Sequence, residues 1–496
     1  MYDLLVIGGG INGAGIARDA AGRGAKVLLC EKDDLAQHTS SASTKLIHGG
    51  LRYLEQFEFR LVREALQERD VLLRMAPHII WPLRFVLPHH SELRPAWMLR
   101  TGLFLYDHIA GQTSLPKTER LSLNKPPFAG LLKEKFKFGF EYSDCWVEDS
   151  RLVALNAISA AEHGADIKTR TACVGLEREG DIWSAKLASK DCGQIEIHAH
   201  AVVNAAGPWI DDIIDLSAPG RNERNIRLVK GSHIIVPKLY DDDRCFIFQN
   251  ADNRIIFAIP YERRFTLVGT TDLSYSGDRD TVTISEEEIA YICAAASEYF
   301  SKPITSADVI SHYSGVRPLY DDHSESNSVV TRDYVFDVRA IDEKAPLLSI
   351  FGGKITTYRK LAEHALEKLE PYINFKSGPW TKKTPLPGGD IPDADFEAFV
   401  EALIKKLPWA PADLVYRWAR CYGTRAEFIV GDAAKTSDLG THFGAGLYER
   451  EARYLMDHEF AYSSDDILWR RTKLALHMSK DEKLSFEEWG AQQRTA

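Results

Sequence analysis

Paired cysteines are missing from this 496-residue sequence. Cys30, Cys145, Cys173, Cys192, Cys245, Cys293 and Cys421 are odd in number, scattered, and nowhere spaced as Cys-x-x-Cys. That pattern excludes a disulfide framework or a zinc ribbon, fits a reducing compartment, and leads us to expect no metal. No uncharged apolar run reaches the ~18 residues that a membrane-spanning helix needs. Attachment to a membrane surface does not require such a run. A strand-like segment begins directly after Met1, so no secretory leader is expected. Basic charge is also short: 61 Lys and Arg stand against 71 Asp and Glu, a net charge of −10. Nucleic-acid binding draws mostly on Lys and Arg, so nucleic acid is not an expected partner. Low-complexity tracts and internal repeats are likewise absent. What remains is an ordinary globular composition, 45% hydrophobic and 27% charged, long enough for about two to four domains.

Leu4-Leu5-Val6-Ile7 is a short continuous apolar run, the pattern of a parallel strand buried on both faces. It leads into Gly8-Gly9-Gly10-Ile11-Asn12-Gly13-Ala14-Gly15, then a helical stretch from about Ala14 to Arg23. After Gly24, Lys26 to Glu31 reads as a second strand, completing a β-α-β unit. Apolar runs ending in glycine recur at 200–207 and 346–353, the latter followed by a helix from about Thr357 to Leu369. Between them lie β-rich stretches at 226–237, 254–259 and 265–271. The order predicts an α/β nucleotide-binding domain in three segments, 1–75, 145–210 and 335–375. It is interleaved with an antiparallel-sheet domain, 76–144 and 211–334. Residues 376–392 hold four prolines and three glycines and read as a linker. From 393 to 496 the period becomes helical. Phe396, Phe399, Val400, Leu403, Ile404 and Leu407 mark one helix, and similar patterns run over 413–422, 448–458 and 465–477. A separate all-helical domain is expected there.

Gly8-x-Gly10-x-x-Gly13 sits between strand and helix. The first glycine permits the turn, the second lets a pyrophosphate approach the backbone, and the third lets helix and strand pack closely. The phosphates then meet the free N–H groups and positive end of the helix. Glu31, at the end of the second strand, is placed to accept hydrogen bonds from ribose hydroxyls. Gly207 closes another strand of the same domain. Gly352-Gly353-Lys354-Ile355-Thr356-Thr357 opens a late second helix, whose positive end suits a reduced flavin ring. That favours FAD over NAD and adds Gly353, Lys354 and Thr357 to the cofactor candidates. The segment 40–53 is rich in hydroxyls and then glycine, and Ser41, Ser43, Lys45, His48, Gly49 and Gly50 would let a flat ring lie close. Four cations beside turns, Arg52, Arg317, Arg332 and Lys354, are candidates for a small anion. Each alone reads as a surface residue, and sequence cannot bring them together. His233 is a candidate base for an alcohol losing hydride, or a plain sheet histidine. Thr270 could offer a hydroxyl to the substrate, or serve a turn.

Several stretches together give the chain a resemblance. They are Ile7 to Gly13, Thr44 to Leu54, Glu141 to Cys145, Asn204 to Trp209, Lys230 to His233, Tyr313 to Leu319, Thr331 to Tyr334 and Phe351 to Arg359. Across essentially its whole length the chain resembles the FAD-dependent, quinone-linked glycerol-3-phosphate dehydrogenases of bacteria. The resemblance implies a glutathione-reductase-like FAD-binding Rossmann domain, a substrate domain facing the membrane, and a helical C-terminal cap. It implies oxidation of sn-glycerol 3-phosphate to dihydroxyacetone phosphate, with electrons passing from FAD to ubiquinone. Arg52, Tyr53, Arg317, Arg332 and Lys354 would hold the substrate, and His233 and Thr270 would flank its hydroxyls. His233 would act as base, and Arg317 would also stabilise the developing alkoxide. The family is peripheral on the cytoplasmic face of the inner membrane, commonly as a homodimer. The mitochondrial relatives carry a transit peptide and a calcium-binding extension, which this sequence is not expected to have. Two segments, Ile79 to Pro88 and Trp97 to Leu105, mix aromatic, aliphatic and Arg residues in the manner of an interfacial surface. Three other readings compete: a glycerol-3-phosphate oxidase using O2, an amino-acid oxidase, and a flavin-holding scaffold.

Overall fold

A computed structural model describes every residue except 91, 92, 94, 190–192, 219, 221–224, 251, 253, 322–332 and 496. The run Leu4 to Ile7 is apolar at every position because both faces of its strand are covered. Strand Tyr2–Ile7 pairs in parallel with Val27–Cys30 on one side and Gly193–Asn204 on the other. Asp166–Lys168 and Lys344–Phe351 extend the parallel sheet, and Val335–Ile341 closes one edge antiparallel. Leu4 and Val6 face the helices Ile11–Gly22, Asp149–Glu162 and Tyr358–Leu369. Leu5 and Ile7 face the meander Thr171–Glu179 and Ile182–Ser189, with Trp183 fully buried against them. The first helix begins at Ile11, earlier than its apolar pattern suggests, because Gly10 is its N-cap.

A second, ten-stranded sheet is threaded through the same chain. From one edge its path runs Leu273–Ser274, Ile226–Pro237, Phe265–Gly269, Ile255–Tyr261, Cys245–Gln249, Ile80–His89, Phe138–Val147 and Leu46–Ile47. Ser311–Tyr320 also pairs along Ile226–Pro237, and Glu119–Ser122 along Phe138–Val147. The pairings are antiparallel except between Cys245–Gln249 and Ile80–His89. Alternation places Ile234 and Val236 under helix Glu286–Ser297, and Ile235 under helices Phe59–Met75 and Ala96–His108. Ile80, Phe85, Val86 and Leu87 are buried here. The segment Ile79 to Pro88 is therefore a core strand and not an outer surface, while Trp97 to Leu105 lies on a helix that buries Leu99 and Leu103 and exposes its other face.

The C-terminal domain has its own core around Trp418, Tyr422, Leu455 and Phe486. It is helical apart from the hairpin His442–Gly444 with Leu447–Tyr448. The expected helix at 465–477 is a wide π-helical turn, Asp466–Arg471, followed by a short 3-10 turn at Leu474–Leu476. The wide turn lets consecutive arginines reach one carboxylate: Arg470 and Arg471 both donate to Asp34, at 2.6 and 2.9 Å. The buried pair Arg151–Glu459 and the Lys473 to Ser150 hydrogen bond pin the same junction. The segment 376–392 is also held in place, with Leu386 donating its amide to Met75 O at 3.0 Å.

Candidate active site

A cleft of about 520 Å³ opens at the C-terminal ends of the parallel strands, where ligands bind in open α/β sheets. Gly8, Gly10, Glu31, Gly207, Gly352 and Gly353 line it. Gly8 has a φ of +114°, and a Cβ there would sit 2.4 Å from Ala205 O. A Cβ on Gly13 would sit 1.9 Å from Gly8 O, so the protein itself requires both glycines. Gly10 differs: its nearest neighbour would be Ser40 Oγ at 3.1 Å. Nothing in the protein backbone demands a glycine there, and the bare backbone at the helix N-terminus would leave room for a pyrophosphate. Ser40 Oγ accepts from Ile11 N at 3.0 Å, closing the 39–41 turn onto that helix.

Glu31 accepts from Gly9 N at 2.7 Å and Asp33 N at 2.8 Å. Burial raises its carboxyl pKa, against the pull of these amides, and the remaining lone pairs suit ribose hydroxyls. Trp209 and His38 both line the cleft and pack against each other, with ring centres 4.5 Å apart. A strap from the second sheet closes over Trp209: Arg279 donates to Pro208 O at 2.9 Å and to Asp212 at 2.7 Å, and Lys32 pairs with Asp280. At the other end Asn12 donates to Gly352 O at 3.1 Å, while its buried Oδ1 has no partner among the described residues. These features fit FAD: glycine where a diphosphate would pass, a carboxylate where ribose would lie, and a second helix start beyond Gly353 where the ring would lie.

The second sheet brings the substrate candidates to the ring end. Val229 pairs with Arg317 and His233 with Tyr313 across adjacent strands. Arg317 donates to Thr271 O at 3.1 Å, and Thr270 Oγ1 donates to the same oxygen at 3.1 Å. Both side chains converge above Gly231, where a Cβ would meet Arg317 Nη2 at 2.6 Å and Thr270 Oγ1 at 2.9 Å. Pro318 and Gly353 line the cleft, so Arg317 and Lys354 each adjoin a cleft-lining residue. The Lys354 ammonium lies 3.9 Å from the centre of the Tyr53 ring, and Arg52 is exposed beside it in the chain. Arg332 lies outside the described residues.

His233 is buried and stacks on Tyr313 at 4.8 Å. Burial, then the charges of Lys45 and Arg317, push its pKa down to about 3, leaving a neutral imidazole. Its Nε2 is 3.0 Å from the Thr44 hydroxyl, and its Nδ1 is buried without a partner among the described residues. Lys45 and Ser43 turn toward Asp149: Lys45 Nζ reaches its carboxylate at 2.8 Å and Ser43 Oγ at 2.7 Å. Lys45 also donates to Ser41 O at 3.0 Å, so this trio fixes the loop beneath the cleft. His48 N donates to Thr356 Oγ1 at 3.2 Å, next to the buried Thr357. Gly49 and Gly50 are buried beside it, Gly50 with a φ of +76°. Sequence reasoning missed Thr44, Asp149, Tyr313 and the Arg279 strap. Asp149, acidic in the first turn of a helix, carried a local signal; the others carried none.

Residues 3–359 match the family model described as FAD dependent oxidoreductase. Residues 379–486 match the C-terminal domain of alpha-glycerophosphate oxidase. The chain is 52% identical to D-erythritol 1-phosphate dehydrogenase of Brucella abortus over 490 residues, 98% of this chain and 97% of the relative. It is also 52% identical to glycerol-3-phosphate dehydrogenase of Pseudomonas aeruginosa, over 99% of this chain and 95% of the relative. Among solved structures, the FAD complex of glycerol-3-phosphate dehydrogenase from Bacillus halodurans superposes with a TM-score of 0.77. The two are 27% identical, over 98% of this chain and 93% of that one. Geometry and similarity agree on FAD as the cofactor, and the chain belongs to the FAD-dependent oxidoreductases, in the glycerol-3-phosphate dehydrogenase family.

Proposed function

We propose that this protein oxidises sn-glycerol 3-phosphate to dihydroxyacetone phosphate and passes the electrons to ubiquinone. The observation that carries the reading is the convergence of Arg317, Thr270 and His233 beside the flavin end of the cleft, with Lys354 and Tyr53 on the adjoining loop. A phosphate dianion calls for such cations, and Arg offers a rigid fork for it. Arg52, Tyr53, Arg317, Arg332 and Lys354 hold the substrate in this reading, and Thr270 orients a hydroxyl. The bound FAD supplies the acceptor for the hydride that leaves C2. His233 takes the C2 hydroxyl proton at Nε2, reached through the Thr44 hydroxyl that bonds it at 3.0 Å. Arg317 offsets charge developing on the C2 oxygen. Gly8, Gly10, Gly13, Glu31, Gly207, Gly353 and Thr357 hold FAD, with Ser41, Ser43, Lys45, His48, Gly49 and Gly50 shaping its ring end.

Quinone reduction requires contact with a membrane. None of the described helices is long and apolar enough to cross one. Helix Ala96–His108 instead turns Trp97 (68% exposed) and Phe104 (60%) outward, with Met98 and Leu105 also exposed, and Arg100 is exposed among them. That composition suits the headgroup boundary, with the protein peripheral on the cytoplasmic side of the inner membrane and working as a homodimer. Oxidase chemistry with O2 is not favoured, since the named relatives with high identity over nearly their full length are dehydrogenases. The Brucella relative's name favours one second reading, a polyol phosphate one carbon longer.

An anaerobic visible spectrum before and after sn-glycerol 3-phosphate tests the reading: the oxidised flavin band bleaches. A band bleached by D-erythritol 1-phosphate alone moves the assignment to the longer substrate, and a band that neither bleaches rejects both. His233→Ala is expected to slow the bleaching ~10²–10⁴-fold with the oxidised spectrum intact. A loss confined to KM removes His233 as base.

A further inference from the structure

Behind the loop that carries Arg52 and Tyr53 lies a chain of buried polar groups that touches neither the cleft nor solvent. Gly49 N donates to Asp144 Oδ1 at 3.4 Å and, more closely, to the Tyr106 hydroxyl at 2.8 Å. That hydroxyl donates to Asp144, at 2.7 Å to Oδ2 and 2.9 Å to Oδ1. Arg69 donates to Asp144 Oδ1 at 2.9 Å and to Ser143 O at 2.9 Å. Tyr106, Asp144 and Arg69 are all at most 4% exposed, and none of them lines the cleft. Burying a carboxylate and a guanidinium costs free energy that their pairing only partly offsets, so the unit is not explained as plain packing. A second observation points to the same loop. A Cβ on Gly49 would lie 2.7 Å from the Tyr106 hydroxyl and 2.5 Å from Leu66 Cδ2, so the loop backbone is seated directly on that hydroxyl.

Beyond Gly49 the loop turns at Gly50, and Tyr53 N donates back to Gly50 O at 2.9 Å. Tyr53 then stands 3.9 Å from the Lys354 ammonium. We propose that Tyr106, oriented by Asp144 and Arg69, is a positioning residue that fixes the Gly49 amide and thereby aims Arg52 and Tyr53 at the substrate. This rests on the reading above that Arg52 and Tyr53 bind the substrate phosphate side. The hydroxyl is suited to the task because it accepts from the amide and donates to the carboxylate at once, leaving no buried polar atom of its own unpaired.

Tyr106→Phe keeps the ring and removes the hydroxyl. In the full-length FAD-loaded enzyme, KM for sn-glycerol 3-phosphate is expected to rise about tenfold, the size of one buried hydrogen bond to a charge-linked group. In the same variant kcat and FAD content stay near the wild-type values, while the melting temperature falls by a few degrees at most, because the Gly49 amide and Asp144 each lose a buried partner. Hydrogen exchange of the amides in 47–54 accelerates about tenfold, read without substrate. A wild type that sn-glycerol 3-phosphate does not reduce sinks the substrate reading, and the exchange measurement still decides the loop. Wild-type exchange and KM in Tyr106→Phe overturn the proposal. So does activity lost only in proportion to lost FAD, the signature of a purely structural role.

Discussion

The dinucleotide cleft and the strand crossing around Gly231 meet at one site but are built in opposite ways. The cleft is made of backbone: glycines at 8, 10, 207, 352 and 353, a helix start, and Glu31 fixed by two nearby amides. The crossing is made of side chains: Arg317, His233 and Thr44 are each held by a partner on another segment, and Thr270 by the neighbouring Thr271 carbonyl. A backbone surface carries its charge as peptide dipoles and does not titrate. A side-chain surface holds buried ionisable groups whose state depends on their neighbours. The cofactor end should therefore respond to bulk, and the substrate end to charge and pH.

The sharpest way to break this contrast is a pair of glycine substitutions. In Gly13→Ala the Cβ would lie 1.9 Å from Gly8 O, so the free protein should lose several kcal/mol, about 3 or more, along with FAD. In Gly10→Ala the nearest atom is Ser40 Oγ at 3.1 Å. The melting temperature of the FAD-free protein should barely change while FAD binding falls steeply. Thermal melts with and without FAD separate the two, and equal loss in both FAD-free variants would erase the distinction drawn between these glycines.

The pH response of His233 comes next. Its folded pKa is pushed down to about 3 by burial first and then by Lys45 and Arg317, against an ordinary value of about 6.5. A depressed pKa means the stability contribution is full above about pH 6.5 and is lost as pH falls toward 3. Each unit in that window is worth up to about 1.4 kcal/mol. Wild type should thus lose stability faster than His233→Gln between pH 6.5 and 5, measured by denaturant unfolding. Parallel curves would mean that His233 is not held neutral by the fold. The smallest effect belongs to the strap. Arg279 and Asp212 are partly exposed, and such pairs contribute about 1 kcal/mol at most. Arg279→Ala should speed FAD release a few-fold at low salt and less at high salt, and unchanged release would show the strap does not retain the cofactor.

Legibility follows the same divide. Gly8, Gly10, Gly13, Glu31 and the Gly352-Gly353 turn stood out because each acts within a few residues of its neighbours in the chain. The positions of Arg317, Thr270 and His233 could be named but not assembled, and the partners Thr44, Tyr106 and Asp144 had no spacing to reveal their contacts. Ile79 to Pro88 looked interfacial by composition. Its sheet pairing and the helices above it made it core, whereas Trp97 to Leu105, with similar composition, gives Leu99 and Leu103 to the core and leaves its other face outside.

By itself the sequence determined the parallel strands beginning at Tyr2, Val27, Gly193 and Lys344, the glycine turns that follow them, and the switch to helical period after 393, because these rest on side-chain period and backbone sterics over short spans; the short parallel strand Asp166–Lys168 carried no such signal. Tertiary structure alone decided which charges meet. Register between strands 226–237 and 311–320 sets Arg317 over Gly231, and helix packing seats the Tyr106 hydroxyl beneath Gly49. Such contacts join residues from 57 to well over 80 positions apart. Their energies depend on burial and geometry that exist only once the chain has folded.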